Sequence, residues 1–278
     1  MKLIRAVSCW GNEASPAEAL DLAVEWGFEA VEAPVTASFT EIDKAVSDGG
    51  KHLIAEIVTG CAPGCYVPRP EVPLHKHLED FRRQLDQSLA SEPLRITVLA
   101  GSDLWDFPTT CLFYAQLLEI SAQAGAMICV ETHRARPTFH PVRTAELLAE
   151  FPELRLTLDI SHWCTVCERL VPADPSLLES IVPRVRHVHA RVGYDQGPQV
   201  PDPRVSRYAR ELEAHRNCWE TVAQSRRSRR KEFFTVTPEF GPDGYLQSHP
   251  VTGEPAAELR DINRWMGDEI ARRWDVKV

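Results

Sequence analysis

Short runs of aliphatic and β-branched residues alternate along the chain with longer runs in which apolar residues recur at helical spacing. The short runs have few polar interruptions, which is typical of parallel strands that are buried on both faces. Eight of them are predicted as strands: Leu3–Cys9, Ala30–Ala33, Leu53–Val58, Arg95–Ala100, Met127–Thr132, Leu154–Ile160, Val185–Val192 and Phe233–Phe240.

The longer runs are predicted as helices that connect these strands. Ser15 and Pro16 form a helix-start signal, and Gly27 ends the first helix. The other predicted helices are His75–Leu89, Thr109–Ala124, Arg143–Glu150, Pro175–Ile181, Pro203–Ser225 and Glu258–Trp274. This α/β alternation favours a (β/α)8 TIM barrel over an open sheet, with one domain spanning residues 1–278.

Two segments between predicted elements are long for a compact barrel. Cys61–Pro73 and Gly193–Pro203 are interpreted as loops that follow strands, and long loops of this kind often carry function. No glycine-rich phosphate-binding pattern follows the first strand, which argues against a dinucleotide-binding fold.

The charge and the apolar segments limit the classes of partner. The formal net charge is −9, so the surface repels nucleic acid, and the basic run at 226–231 is interpreted as a solvated helix end. No stretch approaches the roughly 20 apolar residues that cross a bilayer. The N-terminus is too short and too charged for a secretory signal. We therefore expect a cytoplasmic protein with no nucleic-acid and no membrane partner.

Eight cysteines are present, and in a cytoplasmic chain they are expected to be thiols. The pairs Cys61/Cys65 and Cys164/Cys167 would make a structural zinc site only if all four residues converged. Because they follow predicted strands three and six, we expect them on opposite sides of the barrel mouth.

Polar residues stand at or near the C-terminal ends of the last four predicted strands. Glu131 and His133 share a face of strand five, and Asp159, His189 and Glu239 occupy strands six, seven and eight. TIM barrels place their active sites at this end. Three carboxylates at one mouth repel one another unless a divalent cation binds them. The donor set suits Mn²⁺, Mg²⁺ or Co²⁺ and can accept Zn²⁺.

On Glu131, the Asp159-x-x-His162 element, His189 and Glu239, the chain resembles the xylose isomerase-like sugar isomerases and epimerases over essentially its whole length. Tagatose 3-epimerases, hydroxypyruvate isomerases and inosose dehydratases are members of this family. The resemblance implies that Glu131, Asp159, His189 and Glu239 hold one divalent metal, most often manganese. It also implies that Glu131 and Glu239 are catalytic and move a proton, through a metal-stabilised enediolate, on a small carbohydrate-like α-hydroxy carbonyl substrate.

Further residues are candidate substrate contacts. The resemblance implies this role for His162 and for an arginine beyond the strand-seven histidine, where Arg191 stands, although in the tagatose-epimerase branch the arginine lies further along. His133 lies just beyond a metal ligand on the same face, and Glu32 matches a pocket-lining glutamate of the family or forms a structural salt bridge. Trp163 is the best aromatic candidate for the pocket wall because it directly follows His162.

Four other residues have two interpretations each. His187, one pleat deeper than the ligand histidine, is a core histidine bonded to a neighbour or an inward-facing alternative to His189. Glu56 lines the barrel or is structural. Arg134 and Arg136 either recognise a carboxylate or phosphate on the substrate or are surface charges.

Several functional alternatives stay open. A lyase, such as a dehydratase or an eliminase acting on oxidised sugars, would use the same residues. An apurinic-site endonuclease is remote, because the segment 190–197 lacks the second histidine that this class needs. A barrel that binds a ligand without turnover would have no need of two opposed carboxylates. The C-terminal segment Glu258–Trp274 closes the barrel as its last helix or forms the contact of a homo-oligomer.

Overall fold

Every strand of the computed structural model pairs with a parallel neighbour on each side, and the eight strands close into a barrel in chain order. The structure describes residues 1–36, 39–62, 64–242 and 244–275. The strands are β1 (Lys2–Ser8), β2 (Ala30–Pro34), β3 (His52–Val58), β4 (Arg95–Leu99), β5 (Ile128–Glu131), β6 (Leu156–Leu158), β7 (Val185–Ala190) and β8 (Phe233–Pro238).

Eight helices follow the strands in alternation, which confirms the predicted (β/α)8 barrel. They are α1 (Pro16–Trp26), α2 (Phe39–Asp48), α3 (Leu74–Leu89), α4 (Phe107–Gln123), α5 (Pro141–Glu150), α6 (Ser161–Val166), α7 (Ala209–Ser228) and α8 (Leu259–Asp275). The apolar residues of these helices and the outward-facing strand residues form one extended core between the two layers.

The predicted start and stop of α1 agree with the structure. The Ser15 hydroxyl accepts a hydrogen bond from the Glu18 amide, and the Glu18 carboxylate accepts one from the Ser15 amide. Gly27 ends the helix at a φ of 67°, a left-handed conformation that glycine adopts without steric cost.

Some predicted elements differ from the structure. The segment Pro175–Ile181 forms only a 3-10 turn at Pro175–Leu178, because the closely spaced prolines of residues 172–183 interrupt a helical hydrogen-bond ladder. The predicted helix Pro203–Ser225 begins as an α-helix only at Ala209. Helix α2 was not predicted. Pro63, inside the predicted loop Cys61–Pro73, lies outside the described residues.

The barrel interior is polar over much of its depth. Thr97 and Thr157 share a hydrogen bond of 3.0 Å across it, and His187 Nδ1 lies 2.8 Å from Thr235 Oγ1. Only the amino end is closed by a small aliphatic cluster of Ile4, Ala6, Ala30 and Ile54. Polar side chains that are fully buried need hydrogen-bond partners, and these pairs supply them.

The loops after β7 and β8 are fastened to each other at the carboxyl end of the barrel. The side-chain amide of Gln199 accepts a hydrogen bond from the Gly241 amide at 2.8 Å and donates one to the Gly241 carbonyl at 3.2 Å. Gly193 approaches α6 so closely that a Cβ would lie 2.8 Å from the Ser161 Cα. Its amide donates to His215 Nε2 on α7. Among the described residues, no helix is both long and apolar enough to traverse a bilayer.

Candidate metal centre and its cavity

The structure brings the four predicted metal ligands together at the carboxyl end of the barrel. Glu131 is the last residue of β5, His189 lies near the end of β7, and Asp159 and Glu239 directly follow β6 and β8. Their donor atoms all lie within 4.8 Å of one another, and all four residues are buried. His189 Nδ1 lies 3.0 Å from Glu239 Oε2 and 3.6 Å from Glu131 Oε1.

Electrostatics in this cluster favour a cation. Burial raises the pKa of Glu131 to about 7, and burial also raises the pKa of Asp159. Burial alone would lower the pKa of His189, but Glu239, Glu32 and Glu131 outweigh it and raise that pKa well above its ordinary value. Carboxylates that are removed from water without enough positive charge are costly, and a divalent cation relieves that cost.

The donor set fits a divalent metal ion. His189 Nδ1 is buried and has no hydrogen-bond partner among the described residues, although it points at two carboxylates. Three carboxylates and one imidazole combine hard oxygen donors with one nitrogen, as Mn²⁺, Mg²⁺, Co²⁺ and Zn²⁺ sites do. The residues present could therefore hold such an ion.

Glu32 on β2 orients the histidine ligand from below. Its carboxylate lies 3.1 Å from His189 Nε2 and 3.3 Å from His187 Nε2, and only 1% of Glu32 is exposed. When His189 Nε2–H donates to Glu32, the lone pair of Nδ1 is left for a cation. Burial would raise the pKa of Glu32, but the two histidines outweigh it and lower that pKa well below its ordinary value.

Of the two roles that the sequence left open for Glu32, this arrangement corresponds to the structural salt bridge and not to a pocket-lining residue. Glu32 lies beneath His189 and is absent from the described residues that line the cavity. The three donor atoms of Glu32, His187 and His189 are also close enough to hold a cation. However, the hydrogen bonds between the carboxylate and the two imidazoles already occupy those donors.

Arg191 holds the ligand cluster together from the other side. Its Nη2 contacts Asp159 Oδ2 and lies 2.9 Å from His162 Nε2. Its Nε donates to Ser161 Oγ at 3.0 Å, and its Nη1 donates to the Glu239 carbonyl at 3.3 Å. The guanidinium borders the cavity, but most of its donors are already used within the protein.

His162 lines the cavity, and one of its ring nitrogens has no hydrogen-bond partner among the described residues. Because Arg191 donates to His162 Nε2, the proton of the imidazole belongs on Nδ1, which is buried and has no partner among the described residues. Burial lowers the pKa of His162 well below its ordinary value, so the ring is neutral. His133 stands beside it, with ring centroids 4.1 Å apart, and also lines the cavity.

Trp163 lies in the core and not on the cavity wall. The side chain is fully buried, and its Nε1 donates to the Thr138 carbonyl at 2.8 Å. Helix α6 begins at Ser161, so successive side chains diverge by about 100° around the helix axis. His162 therefore reaches the cavity while Trp163 turns away from it.

The ligand cluster opens into a cavity of about 450 Å³. Glu131 and Glu239 line it, whereas Asp159 and His189 are absent from its described lining. Five of the rings that line the cavity contact one another edge-on or tilted, with centroids between 4.1 and 6.2 Å apart. We call these rings the aromatic collar: Trp10, Tyr66, His133, His162 and Tyr245.

The sequence did not point to two residues of the cavity, Tyr66 and Tyr245, and it left Glu56 with two interpretations. Tyr66 and Tyr245 come from the long loops after β3 and β8. Glu56 on β3 lines the cavity, and its carboxyl makes no hydrogen bond to the described residues. Burial, together with Glu239, Glu32 and Glu131, raises the pKa of Glu56 well above its ordinary value, which favours its uncharged form. The only sequence signal was an acidic residue inside a strand.

Arg136 fixes the loop that supplies Tyr66. The guanidinium is fully buried and donates to the carbonyls of Thr59 and Gly101, each at 2.9 Å, and to the carbonyl of Tyr66 at 2.5 Å. It also contacts Cys61 Sγ at 3.2 Å. Arg136 is therefore a buried structural cation, which is neither the substrate contact nor the surface charge that the sequence suggested.

The eight cysteines are free thiols in the structure. Cys61 and Cys65 line the cavity, while Cys164 and Cys167 lie at α6. No cysteine takes part in the clusters of metal-type donors found among the described residues.

Comparison with known proteins gives structural matches only. No family model matches the sequence, and no curated protein matches it. The fold matches the probable 3-DHS dehydratase involved in petrobactin synthesis from Bacillus anthracis, with a TM-score of 0.63, 16% identity, and 97% and 99% of the two chains covered.

Two further matches come from different enzymes. D-Psicose 3-epimerase with D-tagatose from Clostridium cellulolyticum H10 has a TM-score of 0.60, 12% identity, and 98% and 97% coverage. AP endonuclease, family 2 from Brucella melitensis has a TM-score of 0.60, 16% identity, and 87% and 94% coverage. Other matches are named xylose isomerase-like TIM barrel proteins. The chain therefore has the xylose isomerase-like barrel fold that the sequence predicted, and the named reactions differ too much for the fold to select one.

Proposed function

We propose that this protein is a divalent-metal-dependent isomerase or epimerase of a small, sugar-like α-hydroxy carbonyl compound. One observation carries the proposal. Of the four candidate ligands, Glu131 and Glu239 border the cavity. Asp159 is instead held by a contact with Arg191, and His189 by a hydrogen bond with Glu32. Asp159 and His189 would thus serve only to hold the metal ion, whereas the carboxylates of Glu131 and Glu239 would also face a bound molecule.

The two cavity-facing carboxylates suit a proton transfer. A divalent ion in this centre, with manganese as the first choice and magnesium, cobalt or zinc as alternatives, would polarise a substrate carbonyl and acidify the adjacent C–H. Glu131 or Glu239 then removes that proton, and the other carboxylate returns a proton to the opposite face or to the neighbouring carbon. The unused Nδ1–H of His162 can donate to the oxygen on which negative charge develops.

A lyase is the second candidate, and Glu56 favours it. An uncharged carboxyl on the cavity wall, without a partner among the described residues, can give a proton to a leaving hydroxyl. Loss of water after the same first proton abstraction would make the enzyme a dehydratase. Its product would lack one oxygen, whereas an isomerase product has the mass of the substrate.

The test combines metal content with proton exchange. Purified protein is incubated with keto sugars and keto-inositols in D₂O with added Mn²⁺, and the products are followed by NMR and mass spectrometry. An isomerase or epimerase incorporates deuterium at one carbon without a change in the carbon skeleton. A dehydratase gives a product that is lighter by one water.

Variants of the cluster separate the roles. Glu131→Gln and Glu239→Gln should abolish turnover, and Asp159→Ala should lose the metal. Glu153→Gln removes an exposed carboxylate just before β6, near the opposite end of the barrel, and should change neither. Wild-type turnover and wild-type metal content in all three cluster variants would refute the proposed site.

A further inference from the structure

Arg134 differs from the two other buried or partly buried arginines of this region, Arg136 and Arg191, because its guanidinium makes no hydrogen bond to the described residues. Arg191 and Arg136 each direct several hydrogen bonds at protein acceptors. Arg134 forms neither a hydrogen bond nor an ion pair with any described residue, and its Nη1 is buried. A buried guanidinium N–H without an acceptor is costly, so this group is arranged for an acceptor that the chain does not supply.

The position of Arg134 is next to the cavity. Its guanidinium carbon lies 4.8 Å from the ring centroid of Tyr245, which lines the cavity, and its chain neighbour His133 lines it as well. After burial, the charge of Arg134 is among the causes that lower the pKa values of His133 and His162. The positive charge of Arg134 therefore affects the electrostatic potential at the part of the cavity wall formed by His133 and His162.

The two arginines that line the cavity itself, Arg83 and Arg191, are less suited to hold an anion, and Arg191 already uses most of its donors within the protein. Arg83 lies 3.6 Å from Asp80, and its side chain is 64% exposed. Water and a carboxylate already satisfy it. Among the described arginines at this mouth, Arg134 thus combines a buried donor, a charge without a counter-ion and an aromatic face beneath it.

We propose that Arg134 recognises an anionic group of the substrate, a carboxylate or a phosphate, while the metal centre takes the α-hydroxy carbonyl end. The planar guanidinium fork matches either oxyanion with two parallel hydrogen bonds. The cavity of about 450 Å³ suits a small molecule, and the aromatic collar offers faces for the apolar side of a ring or chain. This orientation of the substrate rests on the proposed function of the metal centre. Within that function, it limits the class of substrate to compounds that carry a carboxylate or phosphate.

The experiment measures binding of simple probes by titration calorimetry at constant ionic strength. Quinate is a cyclic polyol with a carboxylate, myo-inositol is a cyclic polyol without charge, and inorganic phosphate is the second anion. Wild type is compared with Arg134→Gln, with Arg134→Lys and with Arg82→Gln, which removes the same charge from an exposed position of α3. The metal content of every sample is measured in parallel.

We expect Arg134→Gln to weaken quinate or phosphate binding by about tenfold or more, the loss of one charge-assisted pair of hydrogen bonds. Arg134→Lys should restore part of the affinity because it keeps the charge but not the fork. Arg82→Gln should leave the affinity unchanged, and Arg134→Gln should not alter myo-inositol binding. An effect on quinate alone identifies a carboxylate, and an effect on phosphate alone identifies a phosphate.

The proposal is overturned if neither anion binds wild type, or if Arg134→Gln binds both anions as wild type does. It is also overturned if Arg82→Gln weakens them equally, which would reveal a general effect of charge. These outcomes differ from a failure of the proposed function. In that case the protein would bind no metal and exchange no substrate proton, while the dependence of anion binding on Arg134 would remain.

Discussion

Replacing Glu32 by glutamine tests whether the metal centre is built in two layers. The substitution keeps the shape of the side chain and removes its charge. The carboxylate can accept from both imidazoles, at 3.1 Å from His189 and 3.3 Å from His187. A glutamine amide has one acceptor and one donor group, so it can accept from only one of them. The other imidazole must turn or change its tautomer.

The expected loss of affinity follows from that geometry. Loss of an outer partner of a metal-bound histidine costs about 10- to 100-fold in metal affinity. At about 1.4 kcal/mol for each factor of ten, this equals about 1.4 to 2.8 kcal/mol. The range agrees with the worth of about 1.5 to 3 kcal/mol for one hydrogen bond to a charged group.

The assay is a titration of chelator-treated protein with Mn²⁺, in competition with a chelator of known affinity. Glu56→Gln is the matched control, because Glu56 is a second buried glutamate near the ligands, but its carboxyl makes no hydrogen bond to the described residues. Circular dichroism verifies that both variants fold. At saturating metal, Glu32→Gln should keep the KM of wild type, since Glu32 lies beneath the ligand.

Two results would refute this reasoning. Metal affinity of Glu32→Gln within twofold of wild type would show that the carboxylate does not orient His189. A raised KM at saturating metal with unchanged metal affinity would make Glu32 a substrate contact, as the resemblance to the sugar isomerases implies.

Two further predictions concern stability. Arg136→Gln leaves buried carbonyl oxygens without their donor and should lower the free energy of unfolding by about 3 kcal/mol in urea denaturation, whereas Arg134→Gln should change it by less than about 1 kcal/mol. Burial lowers the pKa of His215 from 6.5 to about 4, so the buried ring is neutral and the fold has its full stability above pH 6.5. As the pH falls from 6.5 towards 4, the unfolded chain takes up a proton that the folded chain does not, and the free energy of unfolding decreases by up to about 3 kcal/mol. His215→Gln should reduce this acid sensitivity in denaturation curves at pH 7 and pH 4.5, and an unchanged difference between the two pH values would contradict the assignment.

The ligand cluster was accessible from the sequence for a geometric reason. Parallel strands of a barrel end at one rim, so polar residues at four successive strand ends must meet there, and the two-residue period of a strand fixes which side each one faces. The loops do not enter into this geometry. Glu131, Asp159, His189 and Glu239 can therefore be predicted from the sequence to lie together.

The sequence was less informative where the position of a side chain depends on its depth in the barrel or on the conformation of a loop. Glu32 is the third of five residues in β2, so its side chain lies deeper in the barrel than the strand ends. It therefore contacts the imidazole of His189 and not the cavity. Trp163 adjoins His162 in the chain, but a helix separates their directions. Tyr66 and Tyr245 reach the cavity because remote residues hold their loops, and no local pattern records such a contact.

The double hydrogen bond between Gln199 and Gly241 has a consequence for how this barrel can diversify. TIM barrels are often treated as scaffolds on which each loop varies by itself. Here the loops after β7 and β8 are joined by these two hydrogen bonds, and a third hydrogen bond joins Gln247 to the Tyr194 hydroxyl. The two loops therefore have to change together. A chimera that exchanges only one of them would break the hydrogen bonds between them and displace Tyr245. Transplanting both together is the way to move this rim onto another barrel.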